Sequence, residues 1–483
     1  MKKYTILTKF PLFILLSFFL PQLHYGQAYF QKVYIDSPYD QEGQDILQLA
    51  DGGYLICGYT TNSTMGDADV EVIKANSTGD LVWKKTYGGA KVDFINRMCP
   101  TPDGNYLLVG YSQSYGGGDF DVLLLKIDPD GNTIWLKTIG GSGNELGMDI
   151  SPTSDGNFIV TGYANGSSSH GALDMYLAKV DASGSLLWNK WIGGTAEEIS
   201  NCVKQANDGG YIVMGMTMSS GTEGDAYLVK TDADGNVSWS QTYGGAHYDE
   251  GVYVTANSDG TYTFLVRDSS GVNKDIDVRI IKTDGSGTEI WNKVYGGPRK
   301  DTPKMIQPTM DGGYIAAGNT RSYGLVNPDM WILKFNSVGD TLWTRRYGGS
   351  SHEHCYTVRE LPDGSYYASG KTESYGPSMD VIMLKLNASG TMGIANENFA
   401  DATFNLFPNP AIEEVQLQLS VDEDASLIVT DMSGREIYAL AKVEHGTTRI
   451  PLHDHAPGFY FVTVRSGSQV YTKKLILNNH AHE

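Results

Sequence analysis

WKKTYGGAKVDFINRMCPTPDGNY, residues 83–106, carries the pattern from which the fold follows. A tryptophan leads into Tyr-Gly-Gly, an acid stands four residues after the second glycine, and Asp-Gly opens the next run. Asp-Gly followed by one residue and an aromatic recurs at Asp51, Asp103, Asp155, Asp208, Asp259, Asp311 and Asp363. The intervals are 52, 52, 53, 51, 52 and 52 residues. Trp83, Trp135, Trp188, Trp239, Trp291 and Trp343 keep the same spacing, and so do Asp69, Asp121, Asp174, Asp225, Asp277, Asp329 and Asp380. A fixed period near 50 marks a solenoid, a propeller or an array of small sheets.

One period reads as four strands, A to D, over residues 44–49, 54–60, 69–74 and 81–86. Residues 51–53 and 76–80 supply tight turns, and residues 61–68 a longer polar loop. Two hairpins and one longer loop are the plan of a propeller blade. Seven copies predict an all-β, seven-bladed β-propeller over residues 29–396. The last copy ends at Leu384-Lys385-Leu386 and a turn, with no tryptophan after it. Residues 29–34, YFQKVY, align instead with residues 82–87, VWKKTY, with Phe30 in the tryptophan place. The N-terminal strand is therefore expected to complete the seventh blade, which protects sheet edges that would otherwise recruit other strands. These residues resemble the bacterial secreted seven-bladed β-propellers with Trp/Tyr-Gly-Gly and Asp-Gly-Gly-Tyr repeats. The resemblance implies the fold and no particular activity, because propellers host many functions.

The two ends differ from the repeat. Lys2 and Lys3 precede a short apolar run at residues 10–20, with small residues at Gly26 and Ala28. That is a secretory signal peptide over residues 1–28, too short to span a bilayer. Residues 397–403 read as a linker, and residues 404–483 as a small Ig-like β-sandwich of alternating strands. This tail has Phe407-Pro408-Asn409-Pro410, then Asp431-Met432-Ser433-Gly434-Arg435, Pro457-Gly458-Phe459-Tyr460 and a basic final strand with Lys473-Lys474. In that order the motifs resemble the C-terminal sorting domain of the type IX secretion system of Bacteroidetes. The resemblance implies export across the outer membrane, partnership of residues 404–483 with the type IX machinery, and release or attachment at the cell surface.

The formal net charge is −20, and removal of Lys2, Lys3 and Lys9 with the signal takes it to −23. Nucleic acid is excluded as a partner, since phosphates need cationic surfaces. No segment beyond the signal approaches a membrane span. Cys57, Cys99, Cys202 and Cys355 replace apolar strand residues and show no disulfide spacing, although Cys57 and Cys99 fall in neighbouring repeats.

One acid per blade stands at the entry to strand A: Asp40, Asp93, Glu145, Glu198, Asp249, Asp301 and Glu353. Two readings stay open. The carboxylates form a ring able to hold Ca²⁺ through oxygen ligands, or each is a staple that accepts backbone N–H bonds from the adjoining loop. No cofactor is otherwise called for. The turns Asp128-Pro129-Asp130-Gly131-Asn132 and Asp232-Ala233-Asp234-Gly235-Asn236 lack the third ligand and distal Glu of an EF-hand and read as turns. His352 and His354 would share a strand face as two metal ligands might, but no third histidine is near.

Function is expected where blades differ, on the face shared by the B–C and D–A loops. The residues after strand B's usual glycine are Tyr59, Tyr111, Tyr163, Met216, Arg267, Asn319 and Lys371, and the fifth blade replaces Gly-Tyr by Val266-Arg267. Tyr115, Tyr323 and Tyr375 recur in Ser-Tyr-Gly loops. Tyr59, Tyr111, Tyr115, Tyr163, Arg267, Asn319, Tyr323, Lys371 and Tyr375 are the candidate ligand-binding set; the competing reading packs the rings between blades. Local nucleophile and metal motifs are absent. The sequence favours a secreted or cell-surface binding and adhesion module for a glycan or protein. The rival is an extracellular polysaccharide-active enzyme using channel-mouth carboxylates such as Asp301 or Glu353.

Overall fold

The computed structural model describes residues 29–62, 67–165, 172–220, 223–269, 275–322, 327–392, 404–409, 411–419, 425–431, 436–443, 446–466 and 469–478. The expected signal peptide and linker lie outside them. Among the described residues all regular structure is strand. The chain divides into two compact units, one of residues 28–394 and a C-terminal one that begins at residue 395.

In the first unit the first repeat folds as Gln41–Gln48, Tyr54–Thr60, Asp69–Ala75 and Leu81–Tyr87. The strands pair antiparallel in chain order. Five further four-stranded sheets repeat that order. A last sheet takes Glu353–Glu360, Tyr366–Thr372 and Asp380–Leu386, and adds Phe30–Tyr34 from the other end of the chain as its fourth strand. Phe30 stands opposite Lys385, and Tyr34 opposite Val381. The sheets are numbered here one to seven, beginning with that of residues 41–87. The Asp-Gly turns need a left-handed residue, and Gly104 supplies it at φ 80°.

Neighbouring sheets are fastened at two places. On the outer side each tryptophan packs on the second hairpin of the next sheet. Trp83 lies so close to Gly131 that a Cβ there would come within 2.6 Å of the indole, and Trp188 on Gly235 and Trp343 on Gly390 repeat the contact. Below the ring, the Tyr87 hydroxyl donates to the Gly131 carbonyl at 2.7 Å, and Tyr243 does the same to Gly287 at 2.6 Å. Phe30 and Tyr34 make this pair of contacts on Gly79 of the first sheet, with Tyr34 donating to the Gly79 carbonyl at 3.0 Å. The borrowed strand thus joins the seventh sheet to the first. Each tyrosine ring packs its apolar body at the junction while its hydroxyl finds an acceptor.

On the inner side the fastening is the Gly-Gly pair. The N–H of its second glycine donates to the acid that opens the next inner strand: Gly89 to Asp93 at 2.8 Å, Gly141 to Glu145 at 3.0 Å, Gly194 to Glu198 at 2.6 Å. Gly245, Gly297 and Gly349 donate likewise to Asp249, Asp301 and Glu353, at 2.8–2.9 Å. The first glycine lies between two carboxylates. A Cβ on Gly88 would overlap Asp69 Oδ1 and come within 2.8 Å of Asp93 Oδ2. Gly140, Gly193, Gly296 and Gly348 stand in the same way between a third-strand aspartate and the next sheet's acid. Charge-assisted bonds of this kind are the stronger class of hydrogen bond. Asp40, where no Gly-Gly precedes it, accepts instead from the Met379 N–H at 3.0 Å and ties the seventh sheet to the first.

A hydroxyl usually completes the acid's shell. Ser112 donates to Asp93, Thr217 to Glu198 at 2.6 Å and Thr372 to Glu353 at 2.7 Å. The fifth sheet has Asp268 in that place, directly across from Asp249. Burial, and then the Asp268 charge, push Asp249 up to about 6. Burial with Asp301 and Asp268 pushes Asp277 to about 6 as well.

The C-terminal unit holds two sheets. One orders Phe404–Phe407, Glu414–Leu419 and Gly446–Pro451; the other orders Glu436–Val443, Ala425–Asp431, Gly458–Ser466 and Gln469–Leu477. Alternate residues Val415, Leu417 and Leu419 from the first, and Leu427, Val429, Val462 and Val464 from the second, share one apolar core. Asn409 of the Pro-Asn-Pro motif accepts the Ile476 N–H at 2.9 Å and ties the start of the unit to its last strand.

Gly88→Ala is expected to destabilise the protein by about 2–4 kcal/mol in urea unfolding, because the new methyl displaces a buried carboxylate. Gly104→Ala, whose Cβ would meet nothing within 4 Å, is expected to cost only the left-handed strain, about 1 kcal/mol. Equal losses would contradict the account. Asp249 adds a pH dependence. Its folded pKa is raised, so its stabilising contribution is present in acid and is lost as pH rises through about 6. Asp249→Asn, which keeps an acceptor for Gly245, is expected to raise Tm at pH 7.5 by roughly 2 °C and to leave it unchanged at pH 4.

Candidate functional site

Each innermost strand of the first unit breaks register at the same position. The shift falls between Gly43 and Asp45, Ile95 and Arg97, Gly147 and Asp149, and Ser200 and Cys202. It recurs between Gly251 and Tyr253, Pro303 and Met305, and Cys355 and Thr357. A bulge leaves one residue unpaired and re-aims its side chain. The bulge residues are Gln44, Asn96, Met148, Asn201, Val252, Lys304 and Tyr356. All seven line one cavity of about 210 Å³, together with Arg97, Glu250 and Arg267.

Toward the first hairpins this cavity is floored by a charged network. Arg359 donates to Asp45 at 2.9 Å and Lys204 to Asp149 at 2.6 Å. The Tyr253 ring lies under both Lys204, 4.9 Å from its centroid, and Arg97, at 5.8 Å. Arg97 also donates to the Gln44 carbonyl at 3.0 Å. These cations are half-buried; Lys204 and Arg359 are paired with carboxylates and Arg97 with a carbonyl and the Tyr253 ring.

Toward the other face the mouth divides into two arcs. Two residues before each bulge, an inner-strand side chain pairs with the residue after strand B's glycine. In sheets two to four the pairs are Phe94–Tyr111, Leu146–Tyr163 and Ile199–Met216, all apolar or aromatic. Tyr59, Phe94, Tyr111 and Phe120 form a ladder of edge and tilted contacts with centroids 4.5, 5.3 and 5.4 Å apart. In sheets five to seven the pairs are Glu250–Arg267, Thr302–Asn319 and His354–Lys371. Arg267 donates to Glu250 at 2.6 Å, and Lys371 donates to Glu42 at 2.6 Å.

The polar arc contains a second cavity, of about 250 Å³, lined by Arg267, Lys300, Thr302, Lys304, Asn319, Arg321, Pro328 and His354. It shares Arg267 and Lys304 with the bulge cavity. Lys304 has the Tyr356 ring 5.2 Å away and no carboxylate partner among the described residues. Burial, and then the nearby Arg267 charge, push its ammonium down to about 8. His354 is pushed down to about 3 by burial and by Lys371 and Lys304, so its ring is neutral at ordinary pH. Asn319 Nδ2 stands 3.1 Å from His354 Nδ1, while Asn319 Oδ1 and Arg267 Nε are buried without partners.

The structure therefore gathers two of the candidate residues, Arg267 and Asn319, into one cavity, and two others, Tyr59 and Tyr111, into the aromatic ladder. Tyr163 adjoins the ladder's arc, and Lys371 is engaged by Glu42. Tyr115 lies over the hinge of sheets one and two, donating to the Gly88 carbonyl at 2.7 Å. Tyr375 is exposed beside Gly349 at the hinge of sheets six and seven. Tyr323 lies outside the described residues. The acids Asp93, Glu145, Glu198, Asp249, Asp301 and Glu353 each receive a glycine N–H as described, and among the described residues no group of three or more His, Cys, Asp or Glu is placed to hold a metal ion. His352 pairs with Glu373 at 2.9 Å, apart from His354. All four cysteines are buried and free. Sequence reasoning missed the bulge residues, Lys300 and Arg321. The available signal for the two cations was their place beside one cross-strand pair, Lys300 before Asp301 and Arg321 after Thr320; the bulge residues left none.

Residues 405–478 match the family described as the secretion system C-terminal sorting domain, Por_Secre_tail. Regulatory protein FlaEY of Caulobacter vibrioides is 26% identical over 219 residues, which cover 38% of this chain and 23% of that protein. The match thus spans about a quarter of that relative's length. Among solved structures, PorZ, an essential bacterial surface component of the type IX secretion system of Porphyromonas gingivalis, is 13% identical with a TM-score of 0.33, covering 89% of this chain and 69% of that one. The β-propeller domain of the Trilobed protease from Pyrococcus furiosus is 7% identical with a TM-score of 0.44, covering 76% and 99%. The sorting-domain match identifies residues 405–478 as the export element of a type IX substrate, and the protein as one secreted or attached at the outer surface.

Proposed function

We propose that the seven sheets are the blades of one closed β-propeller over residues 29–396, exported by the C-terminal unit, an Ig-like sandwich over residues 404–483, after loss of a signal peptide at residues 1–28. The propeller is a binding and adhesion module for a glycan or protein, and its ligand sits at the channel mouth on the B–C loop face. One observation carries this reading: the mouth is asymmetric although the scaffold beneath it is repeated. The junctions keep one pattern, whereas the residues facing the mouth change from an aromatic arc to a charged arc. Ligand pockets combine an apolar wall with a few convergent polar groups in this way. Tyr59, Tyr111 and Tyr163 supply the wall; Arg267, Asn319 and Lys371 belong to the polar side. Six of the seven repeated carboxylates accept a glycine amide and several a hydroxyl as well, a structural use that favours binding over polysaccharide cleavage.

The full chain, screened against extracellular glycans and surface proteins with and without EDTA, is expected to bind at least one ligand. Tyr163→Ala should weaken that binding by about tenfold, on the scale of a lost aromatic contact. Met310→Ala, an exposed side chain on the opposite hairpin face, should leave it unchanged. Absence of binding in both conditions, or equal sensitivity to the two substitutions, would count against the mouth as the site.

A further inference from the structure

The cavity between the fifth, sixth and seventh sheets is cationic on a chain whose formal net charge is −20. Arg267, Lys300, Lys304 and Arg321 converge on about 250 Å³ of space, and the only carboxylate bonded to any of them among the described residues is Glu250, on Arg267. Lys300 and Arg321 are exposed at the rim, and no described carboxylate pairs with either. Lys304 stands deeper, over the Tyr356 ring, in a setting that disfavours its charge without a partner. Asn319 is 6% exposed and lines the same cavity with an unpartnered amide oxygen. Its Nδ2 stands 3.1 Å from Nδ1 of the neutral His354, and the amide's two ends are interchangeable with respect to that bond. Unsatisfied positive charge and buried amide atoms at one place call for an anionic guest.

We infer that this cavity is an oxyanion site that takes the carboxylate or sulfate group of an acidic saccharide. The inference rests on the reading that the mouth is the ligand face, and it names the ligand class for that site. Arg321 and Arg267 offer planar forks suited to paired oxygens, and Lys300 and Lys304 offer point charges. The volume suits one anionic sugar unit rather than a buried chain. The adjoining arc of Tyr59, Phe94 and Tyr111 gives the neighbouring rings of a chain an aromatic wall on which to lie. Both oxyanion classes share this chemistry, so the test separates them.

The full chain is titrated with polygalacturonate, which carries only carboxylates, with dextran sulfate, which carries only sulfates, and with neutral dextran. At least one anionic polymer is expected to bind and dextran is not, with affinity falling at least tenfold between about 50 and 500 mM NaCl as screening removes the attraction. Lys300→Ala with Arg321→Ala should weaken binding at least tenfold at unchanged Tm, Lys304→Gln should do so independently, and Arg321→Lys, which keeps the charge and loses the fork, should fall between the native chain and the double variant. Anion binding that survives all of these substitutions overturns the site. A ligand bound at the mouth, by the Tyr163→Ala criterion, that is neutral and insensitive to the substitutions of Lys300, Arg321 and Lys304 overturns the oxyanion class and leaves the mouth standing. Failure of every ligand, charged or neutral, removes both.

Discussion

The structure of the first unit depends on one bond made again and again: a glycine N–H donating to the carboxylate that opens the next sheet. The bond needs two glycines. The second carries the donor, and the first must have no Cβ, because a third-strand aspartate and the next sheet's acid occupy the space beside it. From Gly88-Gly89 to Gly348-Gly349 this turns the chain inward and places the next inner strand with little freedom. Trp83 and its equivalents then fasten the outer edge of the same junction. With both edges held, the side chains at the mouth can vary without disturbing the fold, which is how a repeated scaffold comes to carry an unrepeated site.

Much of the architecture was legible in the sequence because its causes are local and recur. Gly104 and its counterparts need a left-handed turn, Trp83 needs a glycine to pack on, and Phe30 takes the place of a tryptophan at the chain start; each leaves a periodic trace. The bulges were not legible. Gln44, Asn96, Met148, Asn201, Val252, Lys304 and Tyr356 share no chemistry, so only the backbone register shows that they occupy one position. Arg267 stood out as a broken rule, and it does line the candidate site. Lys304 did not stand out, because an alternating strand leaves its direction undecided until the extra residue is counted. The partner of Asn319, His354, comes from the next sheet, at a separation that no motif records.

Charge is distributed against its average. An acidic chain keeps its acids at hinges and exposed turns, where amides, hydroxyls and lysines engage them, and gathers Lys300, Lys304 and Arg321, which have no carboxylate partner among the described residues, in one cavity. The floor below uses its cations differently: Lys204 and Arg359 are paired with Asp149 and Asp45, and Arg97 and Lys204 lie over the Tyr253 ring. The proposed binding chemistry lies on the face away from the first hairpins. Secretion or attachment at the outer surface, set by the sorting domain at residues 405–478, suits the proposed site, whose guests would be extracellular and anionic.

The central claim is that the repeated carboxylates are fasteners and that the site lies where the repeat is broken. The most direct measurement is urea unfolding, with polygalacturonate and dextran sulfate titrations, for Asp93→Ala, Glu198→Ala, Asp301→Ala and Glu353→Ala made one at a time in the full chain. Each is expected to lose about 1–3 kcal/mol of stability, the cost of leaving buried donors unpaired, and the folded fraction of each should keep the native anion affinity. A variant of the four that retained native stability while losing affinity would contradict the account.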